Sequence, residues 1–521
     1  MSQAALILDD LDRHARERPA DPAVFAVSAG GETRELSWSE IASEADSLAA
    51  RLLSLGVAPG EAVASQLPNR PEFVQIALAT LRIGAVCEPL MPIFRERELE
   101  FMLRESKARV LFVPAQFRGH DYASMAAALR SALPNLEHVV VLEDGPVSAH
   151  GPAPIDAPRP TPDGIAQLLF TSGTSGEPKG VLHRHDSLMR AADVHIRHFS
   201  LGSDDVVYVP SPLAHQTGFL YGMWIALRLG VPQLLQEAWN AEQGMRAMRD
   251  FGATFVQAAT PFLSDLVSAV REGAEPPTNL RTFVATGAAI PRDLARESRE
   301  ALGAEVGGAW GTTESCLGTA FAPGGPPEHA WSTDGRALEG VRLRVVDDDG
   351  ASLPSGREGN FEVDTGCMFE GYLDRPELTA EAITPDGYYR TGDLAQIDAA
   401  GHVRITGRVK DIINRGGEKV PVAEIEQLLY LHPAVRELAI VAMPDARLGE
   451  RACAFVVLAD GAELELADVQ QHLDSHRVSK TYWPERLELA DRLPRTPSGK
   501  VQKYLLRELA RAAVEAPAVP S

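Results

Sequence analysis

The sequence predicts an α/β protein: a large N-terminal domain of layered, largely parallel sheets with helices, followed by a small α+β C-terminal domain. Three observations predict it. The chain has 521 residues, too many for one ordinary domain. Up to Gly407, apolar runs of strand length alternate with helix-period segments, which is the pattern of βα layering. After Gly407 the alternation changes, and the remaining residues hold their own strands and helices. The expected domains are therefore 1–408 and 409–521.

The elements follow in order. Ser39 opens SEIASEADSLAARLLSLG, an amphipathic helix with a serine start and Gly56 at its end. Residues 62–67 read as a short strand, and 71–81 as a helix with proline at its first position. Residues 108–113, 138–142, 165–170 and 206–209 read as buried strands. The Pro- and Gly-rich stretch 151–164 is a linker or surface loop. Beyond Gly407, strands are expected at 438–442 and 454–458 and helices at 422–430 and 504–513. The final APAVPS is expected to be disordered.

Composition narrows the class. The hydrophobic fraction is 45%, enough for sizeable cores. The net charge of −22 leaves no broad basic footprint for nucleic acid. Cys87, Cys316, Cys367 and Cys453 form no CxxC pair, so a disulfide framework or zinc site is not expected and a cytoplasmic setting fits. The chain opens on no signal-peptide pattern, and no apolar run is long enough to span a bilayer. Of the 50 basic residues only seven are lysine. A lysine kept in so arginine-rich a chain marks places that need a compact point charge, or is left over from coding bias. Lys179, Lys410, Lys419 and Lys500 all fall inside the motifs below.

The strand IAQLLF runs into TSGTSGEPKG, residues 171–180. Gly173, Gly176 and Gly180 would let backbone N–H groups turn toward an anion. Thr171, Ser172, Thr174 and Ser175 add donors, and Lys179 adds charge. The loop is a phosphate cradle in chemical terms, although Pro178 directly before Lys179 rules out the Walker pattern.

This loop resembles the signature of the adenylate-forming superfamily, which contains acyl-CoA synthetases, aryl-acid and amino-acid adenylation domains and firefly luciferase. Its other signatures follow in order: PLAHQTG (212–218), ATGAAI (285–290), WGTTES (310–315), YRTGDL (389–394), GRVKDIINRGGEKVPVAEIE (407–426) and PRTPSGKVQK (494–503).

The resemblance implies ATP, Mg2+ and coenzyme A as cofactors and a small carboxylic acid as substrate. By its implication Lys500 bridges the acid and the α-phosphate, Glu314 holds magnesium and Thr313 contacts phosphate. Trp310, where the family usually has Tyr or Phe, lies beside adenine in WGTTES together with Gly311 and Thr312. Gly287, Ala288 and Ala289 form the small-residue turn near adenine. Asp393 accepts the ribose hydroxyls, two acceptors for a vicinal diol, and Arg408 contacts ribose or phosphate. Lys410 is the hinge about which a mobile C-terminal domain swings. Gly416 and Gly417 leave a passage for the pantetheine arm, or form a hairpin turn, and Lys419 is the basic residue of that loop.

His215 matches the residue between the ATP and acid sites. The next residues, Gln216 to Phe219, contain no acid, which disfavours an amino-acid substrate. His183 and His185 have the look of a metal pair but read better as structural. The C-terminal third resembles both dihydroxybenzoate-AMP ligases and short-chain fatty-acid and cyclohexanecarboxylate CoA ligases. The second group is preferred, because aryl-adenylating enzymes tend to carry Asn where Gln216 stands. The expected enzyme is an acyl-CoA ligase for a short- or medium-chain, alicyclic or aromatic acid. Alternatives are an aryl-acid adenylating enzyme loading a carrier protein and a non-catalytic nucleotide-binding protein.

Overall fold

A computed structural model describes residues 6–142, 157–171, 178–287, 292–415, 418–445, 447–495 and 501–515. The chain divides into two compact units. One comprises Met1–Trp331, Gly335–Arg342 and Asp364–Tyr389; the other comprises Ser332–Asp334, Leu343–Val363 and Arg390–Ser521.

The first unit is built on two sheets with parallel centres. In one, Pro22–Val27, Gln233–Gln236, Val207–Val209, Phe255–Ala259, Thr282–Thr286 and Glu305–Thr312 run parallel. In the other, Ala62–Ser65, Val86–Pro89, Val110–Pro114, His138–Leu142 and Ile165–Thr171 run parallel. Antiparallel strands close the edges: Cys316–Ala320 follows Glu305–Thr312, and Lys179–Arg184 follows Ile165–Thr171. Strands buried on both faces carry continuous Val, Ala, Leu and Phe runs, as parallel strands covered by helices require. The layered α/β expectation holds.

Local chemistry sets the element ends. Helix Trp38–Ser54 starts at Ser37, not at the expected Ser39. Ser37 Oγ accepts the Glu40 N–H at 3.3 Å, and a Glu40 carboxylate oxygen accepts the Ser37 N–H at 2.7 Å. That reciprocal pair is a capping box, and only the serine three residues before a glutamate can form it. Helix Pro71–Arg82 carries proline at its first turn as expected.

The second unit contains the strands Gly359–Asp364, Tyr389–Ile397 and Val403–Arg408, and a further sheet of Ile413–Arg415, Glu418–Val420, Val435–Asp445, Gly449–Leu458 and Arg486–Leu489. Helices Val422–Leu429, Leu466–Ser475 and Lys503–Glu515 accompany that sheet. Its core joins Ile413, Ile425, Leu429, Ile440, Val456 and Leu473. Residues 343–363 and 390–408 thus group with the C-terminal strands, although they precede position 408 in the chain. Among the described residues no helix is long and apolar enough to cross a membrane.

Candidate functional site

The glycine-rich segment is anchored at its base. Thr171 and Lys179 are ladder partners at the open end of an antiparallel pair, and the Thr171 hydroxyl lies 3.4 Å from the Lys179 carbonyl. Ser172, Gly173, Thr174, Ser175 and Gly176 lie outside the described residues. Gly180 also meets a packing constraint. A Cβ there would come within 2.8 Å of Leu168 and 3.1 Å of Leu373, so a side chain would have to displace its neighbours. The Lys179 ammonium lies 4.8 Å from the centre of the Tyr372 ring, a cation–π contact.

The Thr313–Glu314 turn connects strands Glu305–Thr312 and Cys316–Ala320. Gly311 is required there, since a Cβ would sit 2.4 Å from the Cys316 carbonyl oxygen. The Thr312 hydroxyl accepts the Ser315 N–H at 3.1 Å and tightens the turn. His183 Nε2 lies 2.6 Å from the Thr313 carbonyl oxygen. Burial pushes the His183 pKa down to about 4, so the ring is neutral and donates from Nε2. The Glu314 carbonyl accepts the Phe369 N–H at 2.7 Å. Glu314 Oε1 accepts the Tyr372 hydroxyl at 2.9 Å. Burial, with Glu314 close by, raises the Tyr372 pKa, so its proton stays in place.

Metal chemistry at this turn can be judged from its donors. His183 donates through Nε2 to the Thr313 carbonyl. Among the described residues no group of three or more His, Cys, Asp and Glu side chains could hold an ion. Glu314 is nonetheless 9% exposed, and it meets the hydroxyl of Tyr372, over whose ring the Lys179 ammonium lies. One hard carboxylate oxygen, with further oxygens from phosphates and water, is the ordinary setting for magnesium. The residues fit that ion.

The proposed adenine wall is contiguous in the sheet. Ala285 pairs with Gly308 in parallel register; Gly287 follows the first by two residues and Trp310 the second. Gly287 has φ +84°, which glycine adopts without strain. Ala288 and Ala289 lie outside the described residues.

His215 caps the turn Gln216–Gly218, its Nδ1 accepting the Thr217 N–H at 3.2 Å. Gly218 admits no side chain, because a Cβ would lie 2.3 Å from the Pro212 carbonyl oxygen. The chain then winds through a π-helix, Phe219–Trp224, a form met mostly at functional sites. Gln216 is buried with its Nε2 3.9 Å from Cys316 Sγ. Asn69 holds the preceding segment by donating to the carbonyls of Val209 and Ser211 and accepting the Leu213 N–H. Sequence reasoning missed Asn69, His183 as a turn support, and Tyr372.

In the second unit Asp393 and Arg408 face each other as ladder partners, with Arg408 Nε 2.7 Å from Asp393 Oδ1. Asp393 is 3% exposed. Gly392, at φ +72°, turns the chain just before it. Nearby Asp334 accepts the Ile405 N–H at 2.8 Å; burial, with Asp393 adding to it, raises its pKa to about 6.

The Lys410 backbone lies in the short turn Val409–Asp411, and the next residue, Asp411, pairs with Arg507 at 2.6 Å. Arg415 and Glu418 are ladder partners, as are Asn414 and Lys419. Gly416 and Gly417 lie outside the described residues, as do the side chains of Lys410 and Lys419. Lys500 lies outside them too; the segment before and after it is joined by a bridge between Arg495 and Val501.

Residues 11–373 match the family described as AMP-binding enzyme, and residues 424–500 match the AMP-binding enzyme C-terminal domain. The medium-chain fatty-acid–CoA ligase of Escherichia coli (strain K12) is 36% identical over 483 residues, covering 91% of this chain and 85% of that protein. The salicyl-AMP ligase / salicyl-S-ArCP synthetase of Mycobacterium tuberculosis (strain ATCC 25618 / H37Rv) is 34% identical over 486 residues, with 91% and 85% covered. The crystal structure of the anthranilate CoA ligase AuaEII in complex with anthranoyl-AMP matches with a TM-score of 0.90 at 25% identity over 99% of both chains. The signature loops, the paired-strand turn bearing Glu314 and these matches together make the chain a member of the AMP-binding, adenylate-forming enzyme family.

Proposed function

We propose that this enzyme joins a carboxylic acid to coenzyme A at the expense of ATP. The acid oxygen attacks the α-phosphorus, the bond to the β-phosphate breaks, and acyl-AMP and pyrophosphate form. The coenzyme A thiolate then attacks the acyl carbon and AMP leaves. The observation that carries the first step is Glu314: a nearly buried carboxylate on a braced turn, held through Oε1 by the Tyr372 hydroxyl. Magnesium, when bound there, supplies positive charge to the phosphate oxygens.

The chain's own residues supply the rest. The 171–180 loop, with Thr171, Ser172, Gly173, Thr174, Ser175, Gly176 and Lys179, cradles the phosphates. Gly287, Ala288, Ala289, Trp310, Gly311 and Thr312 flank adenine, and Thr313 contacts phosphate. Asp393 receives the ribose diol with Arg408 beside it. Lys500 neutralises charge as the acid meets phosphorus, a role worth about 3–4 kcal/mol in transition-state stabilisation. His215 lies between the acid and the phosphates. The C-terminal domain, 409–521, turns about Lys410 between the two steps, carrying Lys500 away and bringing Gly416, Gly417 and Lys419 to the pantetheine arm.

The substrate reading is a short- or medium-chain, alicyclic or aromatic acid. Similarity to the fatty-acid–CoA ligase supports it. The second reading, an aryl-acid ligase loading a carrier protein, is supported by similarity to the salicyl-AMP ligase and weakened by Gln216 in place of asparagine. Four free, buried cysteines support a cytoplasmic setting.

Pyrophosphate release over a panel of acids, with and without coenzyme A, tests the proposal. AMP release that depends on coenzyme A is expected, and acid-dependent pyrophosphate with no response to coenzyme A would favour carrier loading. Lys500→Ala is expected to abolish adenylation and spare transfer from preformed acyl-AMP. Equal loss in both steps would remove that role.

A further inference from the structure

The Tyr372 hydroxyl is held as firmly as the carboxylate it meets. Its backbone N–H donates to Thr379 Oγ1 at 2.9 Å, and Tyr372 pairs with Val181 in the sheet that carries the phosphate loop. Its ring packs at 4.9 Å against Phe369, whose own N–H holds the Glu314 carbonyl. The Lys179 ammonium lies over the same ring. Backbone and side chain of Glu314 are thus gripped by residues of one short segment, 369–372. Glu314 offers only acceptors when ionised, so the shared proton belongs to Tyr372.

We propose that Tyr372 makes Glu314 a one-oxygen ligand and so sets this site's preference for Mg2+ over the larger Ca2+; this rests on reading Glu314 as the residue that holds the nucleotide's metal. Oε1 already carries a hydroxyl hydrogen. A cation seated across both oxygens would compete with that hydrogen for the same electron density. Oε2 carries no hydrogen bond among the described residues and is left for the metal. Ca2+ takes six to eight oxygens and commonly uses carboxylates through both atoms. Mg2+ is smaller, keeps octahedral geometry and is content with one carboxylate oxygen, phosphates and water. The hydroxyl therefore penalises the larger ion more than the smaller.

Calorimetric titration of the full-length enzyme with ATP, in Mg2+ or in Ca2+, tests this without turnover. Wild type is expected to bind ATP more tightly with Mg2+. Tyr372→Phe keeps the ring against Phe369 and Lys179 and removes only the hydroxyl. It is expected to weaken Mg2+-supported binding about tenfold and Ca2+-supported binding less, so the ratio between the metals narrows. An unchanged ratio in Tyr372→Phe, while Glu314→Ala abolishes the metal dependence, would overturn the proposal and leave the role of Glu314 standing. Metal dependence unchanged in Glu314→Ala would overturn the reading beneath it. If Tyr372→Phe does not fold, wild type alone decides: equal ATP affinity with the two ions would overturn the proposal.

Discussion

Glu314 and Asp393 are both carboxylates withdrawn from water, yet their surroundings are opposite. Glu314 is met by the Tyr372 hydroxyl. Asp393 is met by the Arg408 guanidinium at 2.7 Å. A buried anion without a counter-charge is costly, so the first arrangement makes physical sense when a cation arrives with the ligand. A carboxylate already neutralised by arginine can instead accept neutral hydroxyls without adding net charge. Under the proposed function, the first carboxylate would serve the charged end of the nucleotide and the second the sugar.

Removing the charge at the first site should have the largest effect. Glu314→Gln keeps the shape and an acceptor for Tyr372. It should lower acid-dependent pyrophosphate exchange by about 10²–10³-fold with little change in thermal midpoint. An exchange rate within a few-fold of wild type would end the contrast between the sites.

Asp334 sharpens the comparison, because it shows what burying a carboxylate costs, with Asp393 adding to it. Its folded pKa is raised to about 6 from an ordinary 3.8. Ionisation therefore disfavours the folded state: the penalty is absent below about pH 4 and complete above about pH 6. Asp334→Asn retains an acceptor for the Ile405 N–H. It should stabilise the protein at pH 8 by up to about 3 kcal/mol and leave it unchanged at pH 4, as thermal or denaturant unfolding would read. Equal effects at the two pH values would show that charge is not the cause.

The smallest effect is expected at the sugar. Asp393→Asn should raise the KM for ATP about tenfold, and 2′-deoxy-ATP should lose less than ATP does. An identical loss for both nucleotides would separate Asp393 from the diol.

How much of this could be read in the sequence follows from the range of the interactions. The phosphate loop and the Glu314 turn are contiguous strings whose residue types state their chemistry. The Ser37 cap was also legible, since Glu40 stands three residues on; the competing Ser39 hid it. Tyr372 was not legible. It lies 58 residues from Glu314 in sequence, in a stretch that reads as ordinary core. His183 reaches Thr313 across 130 residues, and nothing local distinguishes it from a buried strand histidine. Gly180 carries a constraint that its motif does not display: a Cβ there would crowd Leu168 and Leu373. Short-range patterns named the chemistry, and long-range packing decided which atoms are aimed.

The π-helix at Phe219–Trp224 directly follows the turn that His215 caps. Its wide turn accommodates one residue more than an α-helix would, so a relative shortened by a single codon could wind the segment regularly. Each residue of an α-helix advances the chain by about 100°, so such a shortening would rotate the residues before the segment relative to those after it by about that angle. Gain or loss of that one position would re-aim a whole set of side chains in a single step.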